Sequence, residues 1–265
     1  MNCSLIITTY NWPQALELVL MSVMRQSIMP NEIIVADDGS SQETEKLIKE
    51  FSKNSRVAII HSWQKDVGFR LSRSRNLAIA KAKYEYIIVT DGDMVLHKNF
   101  VEDHKKCAER GNYLQGSRSL LQPEFSRKLL SNKDIKLPFF FSRNIKNRLN
   151  TLRWPLFSKF YCNKHNQALS RIRGCNFSLF KSDIVKVNGF NEDFVTWGKE
   201  DSEFVQRLYN SGIYRKNLKF SALQHHIYHK EGSSSDENIS ILNNTIEKNL
   251  SRCLNGIDKH IKRHA

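Results

Sequence analysis

The sequence of 265 residues is short of acid, of paired cysteines and of long apolar runs, and each shortage excludes something. Only 27 Asp and Glu stand against 41 Lys and Arg, a formal net charge of +14. The expected partners are therefore anionic: nucleic acid, an anionic membrane surface or a phosphate-bearing substrate. Cys3, Cys107, Cys162, Cys175 and Cys253 lie far apart, without the close pairs of a zinc site or a small disulfide scaffold, and read as reduced thiols. No stretch approaches the length of a membrane span, and the apolar run Leu18 to Met21 belongs to an amphipathic pattern. A strand beginning almost at Met1 leaves no room for a signal peptide, so a cytoplasmic protein is expected. The turn after that strand, Thr8-Thr9-Tyr10-Asn11, contains no glycine, which excludes a Gly-rich phosphate loop there.

What is present is unevenly distributed. Between Arg118 and Arg173 there are 13 Lys or Arg against only Glu124 and Asp134, so 11 of the 14 excess charges fall in one segment. With 40% hydrophobic and 26% charged residues, the chain as a whole has the composition of an ordinary globular domain rather than a disordered one.

Tyr86-Ile87-Ile88-Val89-Thr90 reads as a buried strand and runs directly into Asp91-Gly92-Asp93. Ligands of an open α/β sheet collect at the carboxyl ends of its strands, so this triplet reads as a metal site, although Asp and Gly are also ordinary turn residues. Further strands are predicted over Ser4 to Thr9, Glu32 to Ala36 and Val57 to His61, with helices between them. One helix opens on Ser40-x-x-Glu43, the pattern of a capping box. This alternation predicts an α/β fold with a mostly parallel, Rossmann-like central sheet and helices on both faces. Thr8, Asp38, Asp66, Asp91 and Asp93 then lie along one edge of the sheet, and turn chemistry explains several acidic loops there less well than one.

The second half is more elaborate. Leu120 to Ser170 mixes basic residues with Phe139-Phe140-Phe141, Trp154, Phe157, Phe160 and Tyr161, and reads as an insertion with short helices: either a folded flap or a surface that engages anionic lipid or a phosphate-bearing acceptor. A strand is predicted over Ile172 to Leu179. Trp197-Gly198-Lys199-Glu200-Asp201 then opens a helix, and acids there suit the helix dipole but also suit a rigidly held base. Ala222 to Gln224 runs into His225-His226-Ile227-Tyr228-His229, whose clustered imidazoles suit an Mn2+-like ion. A last helix from Asp236 is expected to turn Ile239, Leu242, Ile246 and Leu250 inward and to end in Lys259, Lys262 and Arg263. The expected organisation is a single domain over 1–235, composed of a first half 1–117 that carries the acidic sheet edge, a basic aromatic insertion 118–171 and a second half 172–235, followed by a helical tail 236–265.

Thr8-Thr9-Tyr10-Asn11, Asp37-Asp38-Gly39-Ser40, Gly68 with Arg75-Asn76, Asp91-Gly92-Asp93 and Trp197-Gly198-Lys199-Glu200-Asp201 together resemble the family 2 glycosyltransferases of GT-A fold. Gln64-Lys65-Asp66 through Gly68-Phe69 is similar to the bacterial chondroitin and hyaluronan polymerases, and Trp-Gly-x-Glu-Asp also occurs in β-1,4-galactosyltransferases. The resemblance implies an inverting, metal-dependent transfer of a hexose or N-acetylhexosamine from a UDP-sugar. The acceptor would be a hydroxyl of a glycan or glycolipid: lipopolysaccharide, capsule or lipid-linked oligosaccharide. Thr8, Tyr10, Asp38, Asp66, Arg75, Asp91 and Gly92 would hold the nucleotide sugar. Asp93, with Asp91, His226 and His229, would hold a divalent cation, Mn2+ first and Mg2+ as the alternative, and His225 could replace either histidine. Asp201 would be the base, Glu200 beside it and Trp197 and Gly198 would shape the acceptor site, and no nucleic acid is expected as a partner. A sugar nucleotidyltransferase is the nearest rival and lacks its Gly-rich loop here; a nucleic-acid-binding protein would not place acids at the strand ends.

Overall fold

The computed structural model describes residues 1–261 except Asp134, Phe139, Asn163, Lys164, Gln167 and Glu231, and for His165 and Asn166 the backbone alone. Phe139 of the aromatic run and Lys262 and Arg263 of the basic terminus thus lie outside the described residues.

Four parallel strands form the half that carries the acidic edge: β1 (Cys3–Thr9), β2 (Glu32–Asp37), β3 (Ala58–Trp63) and β4 (Tyr86–Asp91), in spatial order β3-β2-β1-β4. Three helices connect them: α1 (Pro13–Val23), α2 (Gln42–Asn54) and α3 (Leu71–Lys81). Strand alternation divides the core in two. Cys3, Leu5, Ile7, Ile33, Val35 and Ile88 pack with Leu16, Val19 and Leu20 of α1 on one face, while Ile6, Ile34, Ala36, Ile87 and Val89 pack with Ala78 and Ile79 of α3 on the other. A strand covered on both faces needs a continuous apolar run, which is what β1, β2 and β4 supply.

Beyond β4 come β5 (Met94–Leu96), α4 (Phe100–Cys107), β6 (Asn112–Gly116), β7 (Ser119–Leu121), α5 (Pro123–Asn132) and β8 (Ile145–Lys146). They are followed by α6 (Pro155–Cys162), β9 (His165–Asn166), β10 (Asn176–Phe180), α7 (Lys181–Lys186), α8 (Glu200–Asn210), β11 (Tyr214–Leu218), β12 (Gln224–His226) and α9 (Asp236–Glu247). β10 enters the main sheet antiparallel between β4 and β6, and β11 and β9 complete it. A second sheet, β5-β12-β7-β8, stands at the end of β4 and brings the histidine segment beside Asp93.

Three local expectations fail for identifiable reasons. Ser41, not Ser40, precedes α2 and makes no side-chain cap, because the Ser40 hydroxyl accepts from the Asn11 N–H at 2.8 Å, so the capping box does not form. The strand expected from Ile172 begins at Asn176, since residues 172–175 turn into the cleft. On α9, Asn238 and Thr245 are buried while Ile239 and Ile246 are 38% and 42% exposed; hydrogen bonds to the Trp197 loop and to Glu203 outweigh apolar burial there.

The basic segment has two characters. Its first part folds in, with Leu121, Leu129, Ile135 and Ile145 packing on Ala15, Leu18, Val95 and Ile227. Around α6, by contrast, Trp154, Leu156, Phe157 and Phe160 are exposed. No helix among the described residues is long and apolar enough to cross a membrane.

Candidate active site

The carboxyl ends of β1 to β4 and the loops after them line a cleft of about 580 Å3, walled by Thr8, Tyr10, Asp38, Gly68, Asp91, Asp93, Trp197 and His229 among others. Each acid has a backbone reason for its position. Thr8 and Asp91 are register partners on β1 and β4, and the Thr8 hydroxyl donates to Asp91 Oδ1 at 2.7 Å. The next residue turns back: the Gly92 N–H donates to the Thr8 carbonyl at 2.6 Å, and a Cβ on Gly92 would lie 2.6 Å from that oxygen, so the turn requires glycine. Asp38 accepts from the Arg70 N–H at 2.8 Å and from the Gln64 amide. Burial nevertheless pushes the Asp38 carboxyl above its ordinary range, with Asp66 and Asp37 adding to the rise. Asp66 accepts from the Tyr10 hydroxyl at 3.1 Å, and Tyr10 is half exposed, leaving its ring open to the cleft.

Asp93 meets two histidines across the gap between the sheets. Its Oδ2 lies 3.2 Å from His226 Nε2 and 3.0 Å from His229 Nε2, and the two nitrogens are 3.0 Å apart. Burial would raise the Asp93 pKa, but the two imidazoles outweigh it and the carboxyl is held well below its usual range. Asp93 Oδ1 is buried without a hydrogen-bond partner among the described residues, and one ligand atom from each residue falls within 4.8 Å of the others. An orphaned carboxylate oxygen beside two converging imidazole nitrogens fits a divalent ion of the Mn2+ type. His229 Nδ1 faces the Lys230 carbonyl at 3.1 Å, the kind of outer contact that orients a metal-binding imidazole. His225 points elsewhere: on the opposite face of β12, it is buried against the Ser119 hydroxyl at 2.7 Å. Asp91 is not in the cluster; its Oδ1 is taken by Thr8 and by Arg75 at 3.4 Å.

A second cavity of about 290 Å3 shares Leu71, Asp91 and Trp197 with the first and extends to Glu200 and Asp201. Gly198 (φ +98°) and Lys199 (φ +74°) both take the left-handed region, which turns the chain sharply so that α8 starts with its acids facing this cavity. A side chain in that region at Lys199 is the sort of local strain found at functional sites. Asp201 is held by the Gly174 N–H on Oδ2 at 2.9 Å and by the Ser202 hydroxyl on Oδ1 at 3.2 Å. Glu200 is buried, and burial first, then the neighbouring Asp201 charge, raises its pKa to about 7 despite Arg75. Arg75, itself 1% exposed, bridges the two cavities: Nη2 to Asp91 at 3.4 Å and Nη1 to Glu200 at 3.3 Å, with the guanidinium 5.1 Å above the Phe190 ring.

The candidates Thr8, Tyr10, Asp38, Asp66, Arg75, Asp91, Gly92, Asp93, Trp197, Gly198, Glu200, Asp201, His226 and His229 thus surround the joined cavities or support their walls. Several residues that position them carried no sequence signal. Asn238 on α9 donates to the carbonyls of Thr196 at 2.9 Å and Gly198 at 2.7 Å, tying the Trp197 loop down. Gly174, where a Cβ would lie 2.8 Å from Arg75 Nη2, lets the backbone reach Asp201. An asparagine on a helix and a glycine in an arginine-rich loop look ordinary until the fold brings them to the site.

Comparison with known proteins agrees with this geometry. The family model described as Glycosyl transferase family 2 matches residues 4–187. The chondroitin synthase of Escherichia coli is 28% identical over 84% of this chain, and the hyaluronan synthase of Pasteurella multocida is 28% identical over 81%. This chain spans only 34% and 23% of those two relatives. Among solved structures, S. aureus TarS 1-349 in complex with UDP-GlcNAc superposes with a TM-score of 0.64 over 98% of this chain and 70% of that one, at 17% identity. A mannosyltransferase from Pyrobaculum calidifontis in complex with GDP-Man and Mn2+ gives 0.59 over 87% and 58%, at 18% identity. At such identities the likeness is one of fold, the GT-A fold.

Proposed function

This chain belongs to glycosyl transferase family 2, and we propose that it moves a hexose or N-acetylhexosamine from a UDP-sugar to a hydroxyl of a glycan or glycolipid, inverting the anomeric carbon to give a β linkage. The observation that carries the reading is the joined cleft, with the Asp93, His226 and His229 cluster in one lobe and the rigidly held Asp201 in the other. Thr8, Tyr10, Asp38 and Asp66 bind the uridine, and Arg75 fixes Asp91 beside it. Asp93, His226 and His229 hold the divalent cation, Mn2+ first and Mg2+ as the alternative, which supplies neutralisation of the negative charge that develops on the departing diphosphate.

Asp201 takes the proton of the acceptor hydroxyl as its oxygen bonds to the anomeric carbon, and the electron pair of the breaking bond leaves with UDP. Two hydrogen bonds fix the Asp201 carboxylate and leave lone pairs for that proton. Glu200, with its raised pKa, shares its environment without competing as a full second charge, which keeps the base role on its neighbour. Trp197, 45% exposed and in the wall of both lobes, offers the ring face on which an acceptor sugar stacks.

The exposed side chains of Trp154, Leu156, Phe157 and Phe160, with exposed Lys146, Arg148 and Lys159 nearby in sequence, support docking on an anionic membrane that carries the acceptor. Lys133 pairs with Glu17 at 2.9 Å. The decisive measurement is UDP release from a panel of UDP-sugars with Mn2+, with and without excess EDTA. Release that requires the metal is expected; full release in EDTA overturns the metal role, and no binding of UDP overturns the donor assignment.

A further inference from the structure

We propose, resting on the glycosyltransferase reading above, that Trp12 is a positioning residue for the metal site, its ring holding the His229 imidazole where it converges with Asp93 and His226. The two rings meet perpendicular to each other, at 89° with their centroids 5.7 Å apart, in the wall of the cleft that contains Asp93. Two of the three ligands are set by the second sheet. His226 is a register partner of Met94 on β5 and Leu120 on β7 and is buried, and the Asp93 carbonyl accepts from the Ile227 N–H at 2.9 Å. His229 lies three residues past the end of β12, outside the ladder, with its side chain 40% exposed. An exposed imidazole has rotamer freedom that binding an ion must remove, so a contact that fixes the ring beforehand raises the affinity of the site. The Lys230 carbonyl at Nδ1 constrains one edge of the His229 ring, and Trp12 packs on the ring itself.

Trp12 suits this contact better than it suits the helix it opens. It stands immediately before α1, where Ser, Thr, Asp or Asn would cap the first N–H groups, and it makes no side-chain cap. Such a breach of a local rule is expected where a residue serves a site instead. Its side chain is partly buried and packs against the cluster that contains Ala15, Leu18, Val95 and Ile227, the last of these two residues before His229. The backbone is fixed on both sides. The Trp12 carbonyl accepts from the Leu16 N–H at 3.1 Å. Asn11, just before it, is tied to the loop of Asp38 twice: its N–H donates to the Ser40 hydroxyl at 2.8 Å, and its side-chain carbonyl accepts from the Ser41 N–H at 2.9 Å. A ring seated on the core and carried by a tethered loop is a rigid surface against which the His229 imidazole is oriented. The same loop carries Tyr10, so one short segment walls both the nucleotide pocket and the metal site.

The test titrates Mn2+ alone into the full chain and reads the free ion by its EPR signal. Trp12→Leu, which keeps an apolar side chain against the core cluster, should weaken Mn2+ binding by about tenfold, and Trp12→Phe, which keeps a ring, should stay within about threefold of the parent. His229→Ala removes the ligand, and adding Trp12→Leu to it should weaken binding no further, because the indole then has no imidazole to orient. Undiminished Mn2+ binding by Trp12→Leu overturns the proposal, as does a Trp12→Phe variant that binds no better than Trp12→Leu. So does an equal loss from Trp12→Leu in the parent and in His229→Ala, which would make the effect a general loosening of the fold. A parent chain that binds no Mn2+ at all overturns the metal reading itself, and the proposal with it.

Discussion

Replacing Arg75 by Met should destabilise the protein more than any other single change in the cleft. The guanidinium is buried, lies 3.4 Å from Asp91 and 3.3 Å from Glu200, and rests on Phe190. Methionine keeps much of the apolar contact but leaves two carboxylates, 28% and 10% exposed, without their cation. Breaking a buried pair by removing one partner costs about 3–5 kcal/mol, mostly as the uncompensated charge left behind. For a chain of this size each kcal/mol lowers Tm by about 2 °C, so a fall of about 6–10 °C is expected by thermal unfolding at pH 7.5. Adding Asp91→Asn to the Arg75→Met variant removes the stranded charge and should recover a substantial part of the loss, giving a coupling of about 1–3 kcal/mol in the double-mutant cycle. A fall under about 2 °C, or a double variant no more stable than the single one, refutes the idea that Arg75 neutralises the seam between the two lobes.

Three further outcomes are expected. Asp201→Asn should bind UDP-sugar as the parent does but transfer about 10²–10⁴-fold more slowly, since the amide cannot take a proton; turnover near that of the parent places the base elsewhere. Asn238→Ala removes the donors that hold the Thr196 and Gly198 carbonyls and should raise the acceptor KM several-fold with UDP affinity intact, which steady-state kinetics and a UDP titration separate. His104 is buried between Ser178 at 2.7 Å and Asn176 at 3.0 Å, and burial depresses its pKa to about 3 despite the Asn176 bond. Because the unfolded chain binds that proton more readily, the contribution of His104 is complete above about pH 6.5 and is lost as pH falls toward 3, at up to about 1.4 kcal/mol per pH unit. Thermal unfolding of His104→Gln should therefore depend less steeply on pH between 6.5 and 4 than that of the parent, and identical slopes would rule out this source of acid lability.

Much of the first half was legible in the sequence because its signals are local. Apolar runs as long as a strand, broken by acidic turns, dictate parallel strands buried on both faces, and the acids necessarily collect at the strand ends. The Asp91-Gly92-Asp93 turn needs its glycine for a contact only one strand away. The histidines were legible as a cluster but not as a set: strand alternation on β12 and the turn after it decide that His226 and His229 face Asp93 while His225 faces Ser119. Local pattern failed where polar side chains serve distant partners. Ser40 serves Asn11 instead of capping α2, and Asn238 rather than the isoleucines sets the packed face of α9, because hydrogen bonds to remote loops outweighed periodicity. The sequence by itself determined the class of fold, the acidic edge and the concentration of positive charge between Arg118 and Arg173. Tertiary structure alone decided that Arg118 and Arg173 of that segment line the same lobe as Lys199 and Asp201, since these residues come from separated segments and meet only where β10 and α8 close against the end of β4.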